Sequence, residues 1–453
     1  MEINISNLGT IKKGKLELGK LTILGGKNNS GKTYVAYTIY GFIKFWQENI
    51  GVLSLLKEAE ALYESGYIEL KPNDLHKHIN KYIKLLSEIY SEELYNVFNV
   101  SANTFSKTTL QFHSDKYAFD SLFANKTKVN SKLHVTIKRK EESDSFTITL
   151  LNELGDSYKM SVIEFIKKII ASTFFIEALG SVRIITSERT GIQMFQKELD
   201  INKNQLVEKL IKMGRNDKKS NPFDLIEEET ARYSLPIRDN INQVRDLPEA
   251  YKQTSFLVDK NPKFNLGVER VSGVRFNVDE NGRITIASKE GEEEFVIDLH
   301  LASSSSRALL GLHTYIKHLA KENELLIIDE PELNLHPTNQ IYLARLVAEM
   351  VNNGVRILIT THSDFFLKEI NNLIALHSDF EGKDKIVKEY DYLEDELLSP
   401  EDVRAYICGE GTIREVEVDE FGLTETSFDD AMDMINEISE EIAFHKSSNP
   451  VKA

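Results

Sequence analysis

Short apolar runs along the chain predict the buried strands of an α/β protein. Four such runs, residues 21–24, 182–186, 325–328 and 356–359, are each followed by a polar or glycine-containing segment. Continuous apolar runs of this length are typical of parallel strands that are covered on both faces. An alternating hairpin over residues 1–18 precedes the first run.

Helical periodicity and further alternating segments fill most of the remaining chain. Helices are predicted over residues 34–42, 51–98 and 161–179, and over a polar stretch that ends near Lys260. Residues 132–151 predict a hairpin, and residues 268–297 predict a β-meander with turns at 279–282 and 289–291. A last helix, residues 428–444, has apolar side chains at helical spacing. It either packs on its own core or docks a partner.

The composition is that of an ordinary globular protein. The 453 residues are 41% hydrophobic and 28% charged, and Cys408 is the single cysteine, so no internal disulfide can form. No apolar run approaches the roughly 20 residues of a membrane span. The N-terminus lacks the pattern of a signal peptide, and we expect a cytoplasmic protein. The net charge of −16 is concentrated in residues 379–445, which leaves the rest nearly neutral. Bulk charge therefore gives nucleic-acid binding no support, although local basic clusters keep it open.

A complete phosphate-binding loop follows the first apolar run. Its residues, which match G-x-x-x-x-G-K-[ST], are Gly26, Lys27, Asn28, Asn29, Ser30, Gly31, Lys32 and Thr33. A strand before such a loop and a helix after it direct backbone N–H groups at phosphate oxygens. Lys32 is expected to reach the β- and γ-phosphates, and the Thr33 hydroxyl to bind Mg²⁺. The chain is predicted to bind a nucleoside triphosphate.

Two later apolar runs end in residues that suit the same site. Asp329 and Glu330 directly follow the third run, and Asp329 is expected to hold Mg²⁺ and Glu330 to act as the general base. His362 follows the fourth run and is expected to contact the γ-phosphate. Ser303 and Ser304 precede a helix predicted to begin near Arg307, and hydroxyl and N–H groups at a helix N-terminus can receive a phosphate.

These motifs, in this order, resemble ABC-type ATPases of the SMC, RecF and OLD branch. They correspond to Walker A, the signature, Walker B with its D-loop (Glu332 to Pro337), and the H-loop. The chain is most similar to the ATPase subunit of prokaryotic phage-defence systems such as PARIS. The resemblance implies an α/β ABC-type P-loop ATPase core, a mixed sheet with helices, interrupted by a large, mainly helical insertion. The core is expected to comprise residues 1–48, 181–195 and 263–378, the insertion residues 49–180 and 196–262, and an acidic region residues 379–453.

The resemblance also implies a mechanism. Two subunits pair head to tail around two ATP molecules, with Ser303 and Ser304 of one facing the Walker motifs of the other. Hydrolysis separates the pair and changes its hold on a partner. Ser305 stands where the signature usually has a glycine, which predicts slow turnover. No Q-loop glutamine is recognisable, and Glu188 and Gln193 are only candidates for that position.

These features bear on three classes of function. A regulatory ATPase that controls a separately encoded effector, such as a Toprim nuclease, agrees best with the insertion and the acidic region. A DNA-associated repair ATPase resembling RecF is the alternative, and it requires a basic face. A self-contained nuclease is disfavoured because the residues after His362 lack a glutamate and an Asp-x-Asp pair placed to hold metal.

Overall fold

A computed structural model gives the fold of most of the chain. It describes residues 1–49, 56–114, 126–130, 133–140, 145–150, 159–170, 179–195, 233–279, 283–290, 293–424, 436–441 and 444. The strands, in chain order, are β1 Glu2–Leu8, β2 Ile11–Glu17, β3 Leu21–Gly25, β4 Tyr67–Leu70, β5 Thr109–His113, β6 Lys126–Asn130, β7 Leu133–Lys140, β8 Ser145–Leu150, β9 Val182–Ile185, β10 Val274–Val278, β11 Ile284–Glu290, β12 Glu293–Asp298, β13 Leu325–Asp329, β14 Arg356–Thr360, β15 Val403–Gly409, β16 Thr412–Val416, β17 Val418–Asp419 and β18 Gly422–Leu423.

Helices connect and cover these strands. The α-helices are α1 Lys32–Asn49, α2 Leu56–Ser65, α3 Pro72–Phe98, α4 Lys159–Ile170, α5 Arg189–Met194, α6 Leu235–Arg245, α7 Leu247–Ala250, α8 Phe256–Lys260, α9 Gly267–Ser272, α10 Ser304–Thr314, α11 Pro337–Asn352, α12 Asp364–Ala375 and α13 Lys383–Glu389. Short 3₁₀ turns cover Pro262–Leu266, Leu299–Leu301, Glu394–Glu396 and Pro400–Asp402, and a π-helical turn, Tyr315–Leu319, extends α10. In the part of the chain that the structure describes, no helix combines the length and hydrophobicity needed to cross a bilayer.

A nine-stranded sheet organises the molecule, in the order β5-β1-β2-β16-β15-β3-β14-β13-β9. The five strands from β15 to β9 run parallel, so their carboxyl ends meet at one edge. The outer strands β1, β2 and β5 pair antiparallel. Two smaller sheets, β4-β8-β7-β6 and β10-β11-β12, lie within the segments between the core motifs. The predicted α/β class, a mixed sheet with helices, is confirmed.

Two hydrophobic cores lie on the two faces of the large sheet. Neighbouring residues of one strand point to opposite faces, so Leu24 joins the first core and Ile23 the second. The same alternation separates Ile327 from Ile328 in β13. The first core packs against α1 and the insertion helices α2 to α4, and the second packs against α10, α11 and α12. All four apolar runs are therefore buried on both faces, as their composition predicts.

Several local predictions differ from the structure. The β-meander begins at Val274, because residues 268–272 belong to α9, which ends at Gly273 with a left-handed φ of +70°. Strand β4 interrupts the helical segment predicted over 51–98, and β5 was not predicted. The helix α4 spans Lys159–Ile170, while residues 171–178 of that prediction lie outside the described residues. The helix predicted over residues 428–444 also lies mostly outside them, and its described part, 436–441, is helical and exposed.

The acidic region after residue 378 contributes to the main sheet. Strand β15 pairs with β3, the strand before the phosphate-binding loop, and β16 joins β15 to β2. The region is strongly acidic, but Val403, Ala405 and Cys408 are buried. The sheet therefore depends on residues that were predicted to lie beyond it.

Candidate nucleotide-binding site

The phosphate-binding loop lies at the carboxyl edge of the sheet, between β3 and α1. Gly26 has a φ of +137°, and a Cβ on it would lie 2.3 Å from the carbonyl oxygen of Cys408. A glycine is therefore required where the loop passes the backbone of β15. The hydroxyl of Ser30 is buried and, in the part of the chain that the structure describes, has no hydrogen-bond partner. A buried donor of this kind suits an acceptor such as a phosphate oxygen.

Lys32 and Thr33, at the start of α1, connect the loop to the neighbouring strands. The buried Lys32 Nζ donates to the carbonyl oxygens of Gly26 (2.8 Å) and Lys27 (3.0 Å). An ammonium group has three donors, so one is left for a phosphate. The Thr33 hydroxyl lies 3.1 and 3.3 Å from the two carboxylate oxygens of Asp329. The structure thus brings together the two residues predicted to bind Mg²⁺.

Asp329 is the last residue of β13 and is fully buried. The neighbouring Thr360 hydroxyl donates to its carboxylate, as does that of Thr33. Burial raises the pKa of Asp329, and the hydrogen bond from Thr360 opposes that shift. A buried carboxylate held by two hydroxyls is a strong hard-oxygen ligand once a cation offsets its desolvation.

Glu330 has an uncommon backbone conformation that fixes its side chain. Its φ is +50°, in the left-handed region that non-glycine residues rarely adopt. The amide of Glu330 donates to both oxygens of Thr360, the carbonyl at 3.0 Å and the hydroxyl at 3.1 Å. Such strain persists only where surrounding contacts hold it, and it is frequent in active sites. The side chain keeps 25% of its surface exposed, so a water molecule can reach the carboxylate.

His362 lies beside Glu330 at the carboxyl edge of the sheet. Its Nδ1 is 3.4 Å from a carboxylate oxygen of Glu330 and 3.3 Å from one of Glu332, without forming a hydrogen bond. The buried Glu332 accepts from the His362 amide and from the Thr361 hydroxyl, both at 2.8 Å. Glu332 therefore anchors the backbone that carries His362.

The signature serines are at the N-terminus of α10. Ser303 caps the helix by accepting from the Ser306 amide at 3.1 Å, so α10 begins one turn earlier than the predicted Arg307. Ser303 and Ser304 are exposed, and in the described ranges their hydrogen bonds do not reach Lys32, Asp329 or Glu330. Their role opposite a second subunit stays a prediction.

The segment after β9 brings Arg189, which is not among the predicted site residues, into contact with the turn that carries Asp329 and Glu330. The buried Arg189 donates to the carbonyl oxygens of Asp329 (3.0 Å) and Glu330 (2.7 Å). Glu188 accepts from the Tyr37 hydroxyl at 3.2 Å and so faces α1, whereas Gln193 lines a small cavity away from the loop. The strand predicted over residues 182–186 indicates that the segment after it lies near the site, because parallel strands end at a shared edge of the sheet.

A cleft of about 580 Å³ opens beside the phosphate-binding loop. It lies between Gly26 to Ser30 on one side and the β15–β16 turn, Cys408 to Thr412, on the other, with Thr10 at its margin. The Lys12 amide donates to the Gly411 carbonyl oxygen at 2.7 Å and so ties this turn to β2. The β15–β16 hairpin, which belongs to the region predicted to lie outside the core, therefore forms one wall of the site.

Comparison with known proteins places these features in a family. The AAA ATPase domain family matches residues 1–367. No curated protein matches the chain. Among solved structures, the Smc head domain from Pyrococcus furiosus, with an extended coiled coil and bound to the C-terminal domain of ScpA, is 12% identical. That similarity covers 97% of this chain and 98% of that one, with a TM-score of 0.33.

Two further solved structures are similar over nearly the whole chain. The SMC head domain from Thermotoga maritima is 10% identical, covering 92% of this chain and 98% of that one, with a TM-score of 0.33. The recombination mediator protein RecF, in the structure RecF-ATPrS, is 11% identical, covering 91% and 97%, with a TM-score of 0.31.

The family match includes every motif of the site. Residues 1–367 contain the phosphate-binding loop, the exposed serines of α10, the carboxylates that end β13, and His362. The chain belongs to the AAA ATPase domain family.

Proposed function

We propose that this protein binds and hydrolyses ATP and uses the nucleotide state to control a partner. The observation that carries the proposal is the contact between Thr33 and the Asp329 carboxylate, with Glu330 directly after it and beside His362. This arrangement supplies a phosphate cradle, a ligand pair for a cation and a partly exposed base at one edge of the sheet.

A magnesium ion fits the oxygen atoms of this site. Thr33 and Asp329 offer hard oxygen ligands, and in the described residues no cluster of three acidic, histidine or cysteine side chains could hold an ion alone. Mg²⁺ commonly takes only one or two protein ligands and completes its octahedron with water and phosphate oxygens. When bound, the ion supplies charge neutralisation on the phosphates.

The protein's own residues supply the remaining steps. Loop amides and Lys32 bind the phosphates, and the nucleoside extends into the cleft beside the β15–β16 turn. Glu330 orients the attacking water and accepts its proton, and His362 contacts the γ-phosphate from the next strand. The buried Glu332 fixes the backbone of His362.

The partner is proposed to be a protein effector. In this proposal, two chains close head to tail around ATP, with Ser303 and Ser304 of each chain facing the other chain's nucleotide. Opening after hydrolysis releases or activates the effector, a separately encoded nuclease in antiviral defence. The motif resemblance to phage-defence ATPases supports this role.

The proposal is tested with Glu330→Gln, which should bind ATP but hydrolyse it at least about 100-fold more slowly, since general-base catalysis contributes factors of this order. Lys32→Ala should lose ATP binding. Affinity-tagged forms of both are purified from cells with ATP, and co-purifying protein and nucleic acid are quantified. A stoichiometric protein partner that differs between the variants supports effector control. Nucleic acid retained only by Glu330→Gln, without such a protein, contradicts it and supports a DNA-repair ATPase.

A further inference from the structure

Arg189 connects three separate segments of the site through its guanidinium group. Nε donates to the Ala308 carbonyl oxygen at 3.1 Å, and Nη1 donates to the oxygens of Thr186 (3.2 Å) and Asp329 (3.0 Å). Nη2 donates to the oxygens of Glu330 (2.7 Å) and Pro331 (3.3 Å). All of these acceptors are backbone carbonyls, so the side chain fixes the course of the main chain.

The fold explains why one side chain can reach all these carbonyls. Strands β9 and β13 are parallel, with Ile185 opposite Ile328, so the segments that follow them lie side by side. Arg189 is the first residue of α5, just after β9, and it contacts the turn that follows β13. On its other side lies α10, where Ala308 is about one helical turn from Ser304.

The electrostatic setting favours a guanidinium at this position. Arg189 is only 4% exposed, and burial lowers its pKa, but the nearby carboxylates of Glu332 and Asp329 oppose that shift. Arginine stays charged under such conditions because its intrinsic pKa is very high. Its fixed fork of donors also matches several carbonyls at once, which a lysine ammonium cannot do.

A small cavity lies beside Arg189 and next to α10. This cavity of about 40 Å³ lies between β9, α6 and α10, lined by residues that include Ile185, Asn240 and Gly311. Among the described residues, the buried side-chain oxygen of Gln193, which also lines the cavity, has no hydrogen-bond partner. The hydrogen bond from Arg189 to Ala308 is a defined polar connection between α5 and α10 beside this cavity.

We infer that Arg189 is a positioning residue that holds Glu330 in its catalytic conformation and couples it to the signature helix α10. The inference rests on the proposed ATPase function. Glu330 has a left-handed backbone, fixed on its amide side by Thr360 and on its carbonyl side by Arg189. Loss of the guanidinium lets the turn relax and moves the carboxylate. A shift of α10 reaches Glu330 through the same side chain.

The test compares Arg189→Ala and Arg189→Lys with a matched control, Arg356→Ala. Arg356 also donates to backbone carbonyls, those of Leu179 and Asn323 at 3.0 Å each, but at the amino end of β14. Arg189→Ala should lower kcat on the order of 100-fold, as expected for misplacement of a catalytic group by about an ångström. ATP affinity and KM should stay nearly constant, and Arg189→Lys should be intermediate.

Chemical rescue separates positioning from general stability. Millimolar guanidinium should restore part of the kcat of Arg189→Ala. It should not raise the kcat of Arg356→Ala or Lys32→Ala. Equal loss of kcat in Arg189→Ala and Arg356→Ala overturns the inference, as does a rise in the ATP dissociation constant that matches the loss in kcat. If Arg189→Ala does not fold, the test uses Arg189→Lys, whose kcat should be intermediate. A wild-type kcat in Arg189→Lys overturns the inference.

A second readout does not depend on hydrolysis. Amide exchange of residues 304–314 and 329–336 is measured in Glu330→Gln with and without ATP. ATP should slow exchange in both segments, and adding Arg189→Lys should remove the effect in residues 308–314, whereas adding Arg356→Ala should not. If the wild-type protein binds ATP but does not hydrolyse it, the proposed function is refuted, and this exchange comparison remains valid. Persistence of the effect in Arg189→Lys, or absence of ATP binding by the wild type, refutes the coupling.

Discussion

At the residue scale, the site depends on backbone positions as much as on side chains. Gly26 lets the loop pass the Cys408 carbonyl, and Glu330 adopts a left-handed conformation between Thr360 and Arg189. Neither constraint follows from the chemistry of the side chain alone. Both depend on neighbouring strands that approach closely at the carboxyl edge of the sheet.

Gly26→Ala should weaken ATP binding by at least about tenfold, or about 1.4 kcal/mol. The new Cβ would meet backbone, which cannot move aside as the end of a side chain can, and the φ of +137° is unfavourable for alanine. Binding is measured by calorimetry. Gly191→Ala is the control, because no described atom outside its chain neighbours and its own helix backbone lies within 4 Å of the added Cβ. Equal affinity in the two variants would contradict the steric argument.

His313 makes folding sensitive to acid. It is buried in α10, and burial lowers its pKa from 6.5 to about 3. Above pH 6.5 this histidine is neutral in both the folded and the unfolded protein, so it does not reduce the free energy of unfolding. Stability then falls as the pH decreases from 6.5 towards 3, because the unfolded chain binds the proton first. The loss is about 1.4 kcal/mol per pH unit.

Urea unfolding at pH 7 and pH 5 tests this effect. The wild-type protein should have a lower free energy of unfolding at pH 5 than at pH 7, and His313→Gln should reduce this difference by about 2 kcal/mol. The figure is about 1.4 kcal/mol per pH unit over the roughly 1.5 units between pH 6.5 and pH 5. His377→Gln, at an exposed position, should leave the difference unchanged. The same pH dependence in both variants would show that His313 is not the source.

At the element scale, the β15–β16 hairpin completes the sheet beside the phosphate-binding loop. Strand β3 pairs with β14 on one side and with β15 on the other. Residues Cys408 to Thr412, at the β15–β16 turn, form a wall of the cleft. Without this hairpin, the strand that carries the loop would present an unpaired edge and lose a partner for Leu21 to Gly25.

A chain ending at residue 424 should fold and bind ATP, whereas one ending at residue 380 should not fold. The shorter chain lacks the buried side chains of Val403, Ala405 and Tyr406 along with the β15 ladder. Circular dichroism, thermal unfolding and ATP binding distinguish the two forms. ATP binding by the chain ending at residue 380 would show that the hairpin is dispensable.

At the scale of the whole molecule, the exposed serines of α10 do not meet the phosphate-binding loop of their own chain within the described residues. The proposed function therefore requires a second copy to bring them together. This geometry makes the assembly state measurable through single surface substitutions.

Ser304→Arg, placed in Glu330→Gln, should abolish ATP-dependent dimerisation while leaving ATP binding to the single chain unchanged. The long cation would occupy the helix N-terminus, where it meets an unfavourable dipole and blocks approach of the second chain. Light scattering after size exclusion, with and without ATP, gives the mass. Ser378→Arg, another exposed serine at the end of α12, is the control. Dimerisation of the Ser304→Arg protein would refute the head-to-tail arrangement.

Local features of this protein can be predicted from its sequence. The buried strands, the loop from Gly26 to Thr33, and the pair Asp329 and Glu330 are recognisable because their chemistry depends on adjacent residues and on hydrophobic runs. Which distant segments meet is visible in the folded structure alone. Arg189 and Thr360 contact the site through parallel strand ends, and β15 enters the sheet from an acidic region. Contacts between segments far apart in the chain have no local pattern, because packing and strand pairing, rather than neighbouring residues, create them.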